Sequence, residues 1–164
     1  MAIEISYRDL WNHGSMLQDE VRCKAFRDAL FEVVTPDSVV LDIGAGTGIL
    51  SIFAAQAGAE KVYAVERTPV AQAAREIIES NGLSDRITVI QGEMESLELP
   101  EKVDVIVSEW LGGYGVDENL LPIVIQARDL SKTDLKNRPA KGYISFQDEA
   151  KRIWYRKVRI KELP

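Results

Sequence analysis

The sequence of 164 residues has one cysteine, one histidine and no long hydrophobic run. A single cysteine, Cys23, excludes a disulfide within the chain and is typical of a reducing compartment, so we expect a cytoplasmic protein. Without an apolar run of about 18 residues, no membrane-spanning helix is expected. Residues 1–11 carry acidic side chains and no apolar core segment, so no secretory signal is expected either.

Charge is distributed unevenly along the chain. Residues 1–130 contain 10 Lys and Arg against 22 Asp and Glu, whereas residues 131–164 contain 10 against 4. The net charges of −12 and +6 sum to the overall −6. The reversal predicts a domain over 1–130 and a separate basic tail over 131–164. The acidic body disfavours a general nucleic-acid binder and suits a cationic substrate.

The first predicted helix begins at Ser15. Gln18 stands three residues later, as a capping box requires. Apolar residues then recur at every fourth position, which predicts one buried helix face. This stripe consists of Leu17, Val21, Ala25, Ala29 and Val33.

The next segment alternates strands with helices. Strands are predicted at 39–43, 61–66, 87–90 and 103–107, and helices at 49–57 and 68–82. This order predicts an α/β fold with a mostly parallel sheet and helices on both faces. Such sheets bind ligands beyond the carboxyl ends of their strands. Loops that follow different strands are therefore expected to meet in one site.

A glycine loop follows the first strand, with glycines at positions 44, 46 and 48 of VLDIGAGTG. The spacing is G-x-G-x-G rather than the G-x-G-x-x-G of dinucleotide-binding folds. Glu66 ends the second strand, where a carboxylate can accept hydrogen bonds from both ribose hydroxyls. Two other interpretations of this loop and glutamate stay open. One is the cofactor site of a nicotinamide dehydrogenase, and the other is a tight turn beside an incidental glutamate.

With Asp42 before it, this loop resembles motif I of the class I S-adenosylmethionine methyltransferases, which have a Rossmann-like fold. The resemblance implies S-adenosyl-L-methionine as cofactor and S-adenosyl-L-homocysteine as product. It implies no metal. The implied cofactor residues here are Asp42, Gly44, Ala45, Gly46, Gly48, Glu66 and Arg67.

The loop after the third strand is implied to lie beside the adenine. Glu95 is the candidate for the adenine amino group, and Met94 for backbone and apolar contact, with Gly92 and Glu93 next to them. The alternative is an ordinary solvated loop.

Ser108-Glu109-Trp110 follows the fourth strand and resembles the opening of the double-glutamate loop of the protein arginine methyltransferases. Glu118 lies nine residues after Glu109, which matches that family's spacing. The resemblance implies that both carboxylates are catalytic and hold a guanidinium, with Glu109 also bordering the cofactor. The alternative is two solvated loop acids.

The N-terminal part resembles the same family in its cofactor-covering helix, and the whole likeness extends over about residues 7–130. It implies that Arg22 pairs with the cofactor carboxylate, that Met16 borders the methyl group and that Tyr7 covers the site. His13 is assigned at most a supporting role. A second family tyrosine is replaced here by Ile3.

The function implied is methyl transfer to a guanidinium nitrogen of a protein or peptide arginine. A methyltransferase acting on RNA or on a small molecule is an alternative. A cofactor-binding module without activity is another, because the family's β-barrel and dimerisation arm are not recognisable in this sequence. No membrane partner is expected, and the oligomeric state is left open.

The tail alternates polar and apolar residues over 142–148 and 153–163, which predicts a β-hairpin. It weakly resembles the closing hairpin of a 3-keto-disaccharide hydrolase domain, in Gly142-Tyr143-Ile144 and in the RIKEL of 159–163. One hairpin implies no glycosidic activity. It is interpreted as completing the sheet in antiparallel fashion or as foreign to the domain.

Overall fold

The structure is a computed structural model that describes residues 10–109 together with Ala127, Leu130 and Lys132. Within these residues it has four α-helices, four strands and one 3-10 turn. The helices are α1 (Leu10–Leu17), α2 (Glu20–Val33), α3 (Ile49–Gln56) and α4 (Val70–Ser80). The strands are β1 (Val39–Ile43), β2 (Lys61–Glu66), β3 (Ile87–Gln91) and β4 (Val105–Ser108), and the 3-10 turn is Met94–Ser96.

The four strands form one parallel sheet in the order β3-β2-β1-β4. The predicted α/β fold is therefore confirmed. In the register, Ile43 at the end of β1 lies opposite Val65 of β2 and Ser108 of β4. This alignment brings the loop after β1, the end of β2 and the loop after β4 to the same edge of the sheet.

Alternating side chains of the sheet enter two separate hydrophobic clusters. On one face, Val40, Val62 and Ala64 pack with residues of α2, α3 and α4. On the other face, Leu41, Tyr63 and their neighbours pack with Met94, Val103 and Ala127. Because β1 is covered on both faces, all five of its residues are buried.

The prediction of one helix beginning at Ser15 is wrong. The segment forms two helices, and Asp19 caps the second of them, with its Oδ1 accepting a hydrogen bond from the backbone N–H of Arg22 at 2.9 Å. Aspartate is a strong N-cap, and Glu20 adds a favourable charge in the first turn. This cap interrupts the apolar pattern that suggested continuity.

The predicted buried stripe of this helix is also wrong. Val21 is 82% exposed and Val33 is 44% exposed, whereas Leu30 is only 3% exposed. Helix α2 packs on α3 through the face that carries Leu30 and the half-buried Phe26. Two faces of α2 are apolar in sequence, and the long-range contact with α3 decides between them.

The strand predicted at 103–107 is observed as Val105–Ser108. The backbone N–H of Val39 donates to Asp104 Oδ2 at 2.9 Å, and Lys132 Nζ binds the same oxygen at 2.8 Å. The predicted tail hairpin lies outside the described residues. Of the helices in the described part, none is long and apolar enough to cross a membrane.

The two apolar faces of α2 give a test of its orientation. Leu30→Ala removes a buried side chain and should lower the free energy of unfolding by about 2–4 kcal/mol. Val21→Ala, on the exposed face, should change it by less than about 0.5 kcal/mol. Urea unfolding followed by circular dichroism measures both. Equal losses for the two variants would contradict the observed packing.

Candidate cofactor and active site

A concave pocket lies at the carboxyl edge of the sheet. Its walls come from α1 and α2, the glycine loop, the ends of β2 and β4 and the loop after β3. The side chains and backbone that line it are His13, Met16, Leu17, Arg22, Ile43, Gly44, Ala45, Gly46, Thr47, Ile49, Leu50, Val65, Glu66, Arg67, Thr68, Gly92, Glu93, Met94 and Glu109.

The glycine loop is bound to the end of β2 and covered by α1. The N–H groups of Gly44 and Ala45 both donate to the Val65 carbonyl, at 2.9 and 3.0 Å. Gly46 has a φ of +55°, and a Cβ built there would lie 2.7 Å from the His13 ring. Glycine is therefore required at position 46 by both backbone conformation and space.

The Glu66 carboxylate is buried and held by two backbone N–H groups. Its Oε2 accepts from Gly46 at 2.9 Å, and its Oε1 accepts from Thr68 at 2.7 Å. The residue is 6% exposed, so these bonds replace most of its hydration. Each oxygen keeps a lone pair for a further donor.

Arg22 and Glu109 form an ion pair between α2 and the end of β4. The Arg22 Nη1 also donates to the Met16 carbonyl at 3.0 Å. Both side chains are mostly buried, at 20% and 15% exposure. The Arg22 Nε–H is buried without a hydrogen-bond partner among the described residues. The guanidinium thus positions Glu109 and still has a donor to offer.

Asp42 directly precedes Ile43 and Gly44, which line the pocket, and it is itself 1% exposed. Its Oδ2 accepts a hydrogen bond of 2.7 Å from the Ser51 hydroxyl on α3. Its Oδ1 is buried without a partner in the described part of the chain. Burial, with a smaller contribution from the nearby Glu66 charge, raises the pKa of Asp42 to about 7, against the lowering effect of Ser51.

The glycine loop, the acid at the end of β2 and the pocket between them match a known family. The model of the ribosomal protein L11 methyltransferase family (PrmA) matches residues 26–118, which is more than half of the chain. The chain belongs to this family of class I S-adenosylmethionine-dependent methyltransferases. Methyltransferase relatives with an arginine specificity match more of the chain.

Probable protein arginine N-methyltransferase 1.2 of Arabidopsis thaliana is 50% identical over 127 residues, which cover 76% of this chain and 35% of that protein. Protein arginine N-methyltransferase 1 of Schizosaccharomyces pombe is also 50% identical over 127 residues, with 76% and 37% covered. The chain therefore spans about a third of the length of the curated relatives it matches.

One solved structure that matches is the Trypanosoma brucei PRMT1 enzyme–prozyme heterotetrameric complex with AdoHcy. The matched chain is 48% identical with a TM-score of 0.73, and the match covers 77% of this chain and 41% of that chain. The sequence and structure comparisons therefore agree that this chain is similar to one part of the protein arginine methyltransferases.

Most of the cofactor residues predicted from the methyltransferase motifs lie together in the pocket. They are Met16, Arg22, Gly44, Ala45, Gly46, Glu66, Arg67, Gly92, Glu93, Met94 and Glu109. Asp42 is buried and is not among the lining residues, and Gly48 caps α3 at a φ of +86° rather than lining the pocket. The backbone of Glu95 belongs to the 3-10 turn. The side chain of Glu95, together with Tyr7 and Glu118, lies outside the described residues.

Sequence reasoning missed several lining residues of this methyltransferase. His13 received a supporting role at most, yet its ring packs against Gly46 inside the pocket. Thr47 and Thr68 also line it, and the Thr68 N–H orients Glu66. The sequence did contain a signal for Thr68, because this residue lies two positions after Glu66, the predicted cofactor-binding acid. Among the described residues, no His, Cys, Asp and Glu group is arranged to hold a metal ion.

A matched pair of glycine variants tests the contact between α1 and the glycine loop. Gly46→Ala should lower the free energy of unfolding, because the new Cβ displaces His13. It should also weaken the binding of S-adenosyl-L-methionine at least tenfold. Gly82→Ala is the control, since Gly82 has a φ of +67° with open space around it. It should cost about 1–2 kcal/mol of stability and leave cofactor affinity unchanged. Thermal unfolding and calorimetry distinguish the two variants.

Asp42 should make the stability of the folded chain depend on pH. Its pKa is 3.8 when unperturbed and about 7 in the folded chain, so the folded state holds a proton that the unfolded state has lost between these values. Stability contributed by Asp42 therefore falls as pH rises through this window.

In Asp42→Asn this contribution is absent. The variant's stability relative to wild type should improve from pH 5 to pH 8, by about 2–3 kcal/mol. Urea unfolding at several pH values measures the difference. A constant difference across this range would show that Asp42 is ionised throughout.

Proposed function

We propose that the chain carries the catalytic site of a protein arginine N-methyltransferase. The observation that carries the proposal is the position of Glu109, which lies in the cofactor pocket and is held there by Arg22. A carboxylate in this place suits a planar cation that must approach the methyl group. The relatives named as protein arginine N-methyltransferases support the same acceptor.

The pocket contains groups that fit the parts of S-adenosyl-L-methionine. The free Nε–H donor of Arg22 suits the carboxylate of the amino-acid end. The remaining lone pairs of Glu66 suit the two ribose hydroxyls. Arg67, Glu93 and the buried Met94 line the wall that we assign to the adenine. When bound, the cofactor supplies an electrophilic methyl group on a sulfonium centre.

The chain itself supplies position and electrostatic stabilisation for this displacement. We assign Glu109 to bind the acceptor guanidinium and aim one nitrogen at the methyl group. Glu118 is assigned to the same cation from the far end of the loop, as the sequence spacing suggests. Arg22 keeps Glu109 in place, so that the carboxylate is oriented before a substrate arrives.

We further propose a cytoplasmic enzyme with a cofactor-binding domain over 1–130 and a basic hairpin over 131–164. The lone half-buried cysteine suits a reducing compartment. The charge reversal near residue 130 supports the boundary. Strand β4 is an edge of the described sheet, where a following hairpin can pair.

Replacement of Glu109 tests the proposed acceptor. Glu109→Gln keeps the size of the side chain but removes the charge that binds the guanidinium, so methyl transfer to an arginine peptide should fall about 10²–10³-fold. Cofactor affinity should change less than transfer. The measurement uses the full chain, cofactor labelled in its methyl group and peptides that carry either arginine or lysine.

Glu98→Gln is the matched control, because Glu98 is an exposed acid outside the pocket. It should transfer methyl groups at the wild-type rate. Transfer by Glu109→Gln at the control rate would contradict the role of Glu109. Transfer to RNA with none to arginine peptides would replace the proposed acceptor.

A further inference from the structure

Asp42 is a buried acid for which the proposed transfer step has no use. One of its oxygens accepts from the Ser51 hydroxyl, and the other has no partner among the described residues. The next two residues, Ile43 and Gly44, line the pocket. Asp42 is buried next to these two lining residues, so a change of charge in the pocket acts on it through the poorly hydrated interior, where electrostatic interactions are stronger than in water.

The charges around Asp42 come from every element packed near it. From β2, Glu66 repels a negative charge on Asp42. Helix α3, which covers this part of β1, contributes the Ser51 hydroxyl and has no ionisable side chain. The titratable and charged residues that line the pocket, besides Glu66, are His13 of α1, Arg22 of α2, Arg67, Glu93 and Glu109, and the Arg22 charge is already paired with Glu109. Within the described residues, Asp42 has no salt bridge of its own.

We propose that Asp42 binds its proton more tightly while the site is empty than when the sulfonium cofactor is bound, so that the site distinguishes cofactor from product by charge. The proposal rests on the cofactor site of the proposed function and does not depend on the acceptor. It assigns Asp42 as a specificity-determining residue that acts through the pocket wall.

The chemistry of the two ligands explains the discrimination. Both carry an amino acid, but the cofactor has a permanent positive charge on sulfur that the thioether product lacks. Binding of that charge favours ionised Asp42, whose proton passes to solvent. After methyl transfer the sulfur is neutral, and Asp42 takes a proton back from solvent. Because Asp42 titrates near neutral pH, this exchange occurs under ordinary conditions.

Calorimetry of the full chain in buffers of different ionisation enthalpy counts the protons released on binding. At pH 7, the cofactor should release roughly half a proton from Asp42, because about half of the carboxyl groups are then protonated. S-adenosyl-L-homocysteine should release much less. The preference for cofactor over product should rise about three- to tenfold from pH 6 to pH 8.

Two variants and one control assign the effect to Asp42. In Asp42→Asn, the difference in proton release between the two ligands should disappear. Subtracting the proton release of this variant from that of wild type also removes the contribution of the ligands' own amino groups. Ser51→Ala removes the hydroxyl donor to the carboxylate and should shift the pH dependence upward by about one unit. Glu79→Gln, an exposed site on α4, should behave as wild type.

Equal proton release by cofactor and product in wild type would overturn the proposal. Proton release that persists in Asp42→Asn would overturn it as well, and so would a pH dependence in Ser51→Ala that equals the wild-type one. Absence of cofactor binding by wild type would instead contradict the proposed cofactor site, and this proposal with it.

Discussion

The structure of the site depends on one buried carboxylate, that of Glu66. It accepts the N–H of Gly46 with one oxygen and the N–H of Thr68 with the other. These two bonds connect the glycine loop after β1 to the segment that opens α4. The carboxylate is buried, and each of its oxygens accepts one backbone N–H, so its remaining lone pairs have a fixed direction. A ligand with two adjacent hydroxyls meets acceptors that need no rearrangement.

The other pocket charges follow from the same edge of the sheet. Parallel strands end together, so the acid after β4 and the acid at the end of β2 both enter one cavity. Like charges in a poorly hydrated pocket repel each other, and Arg22 reduces this repulsion by pairing with Glu109. Asp42 avoids it in another way, because burial raises its pKa towards neutrality. The site thus favours positive ligands without holding these three acids as unpaired anions.

Local patterns made most of this arrangement predictable. The strands are mostly apolar and rich in β-branched residues. The G-x-G-x-G spacing, with Glu66 22 residues after Gly44, is a short-range signal that needs no knowledge of packing. The orientation of α2 was not predictable in this way, because two of its faces are apolar and contact with α3 selects the one with Leu30. His13 was missed for the same reason. Its place over Gly46 depends on how α1 lies across the loop.

The N-terminal helices therefore link fold and chemistry in a way that the sheet alone does not. Helix α1 places His13 over the glycine loop, and α2 brings Arg22 to Glu109, which is 87 residues away in sequence. The N-cap at Asp19 fixes the break between these helices, with Arg22 bound through its backbone N–H. The guanidinium of Arg22 donates a hydrogen bond to the Met16 carbonyl on α1. A single residue thus joins both helices to the acid that we assign to the acceptor, and the order of α1 and α2 becomes part of the active geometry.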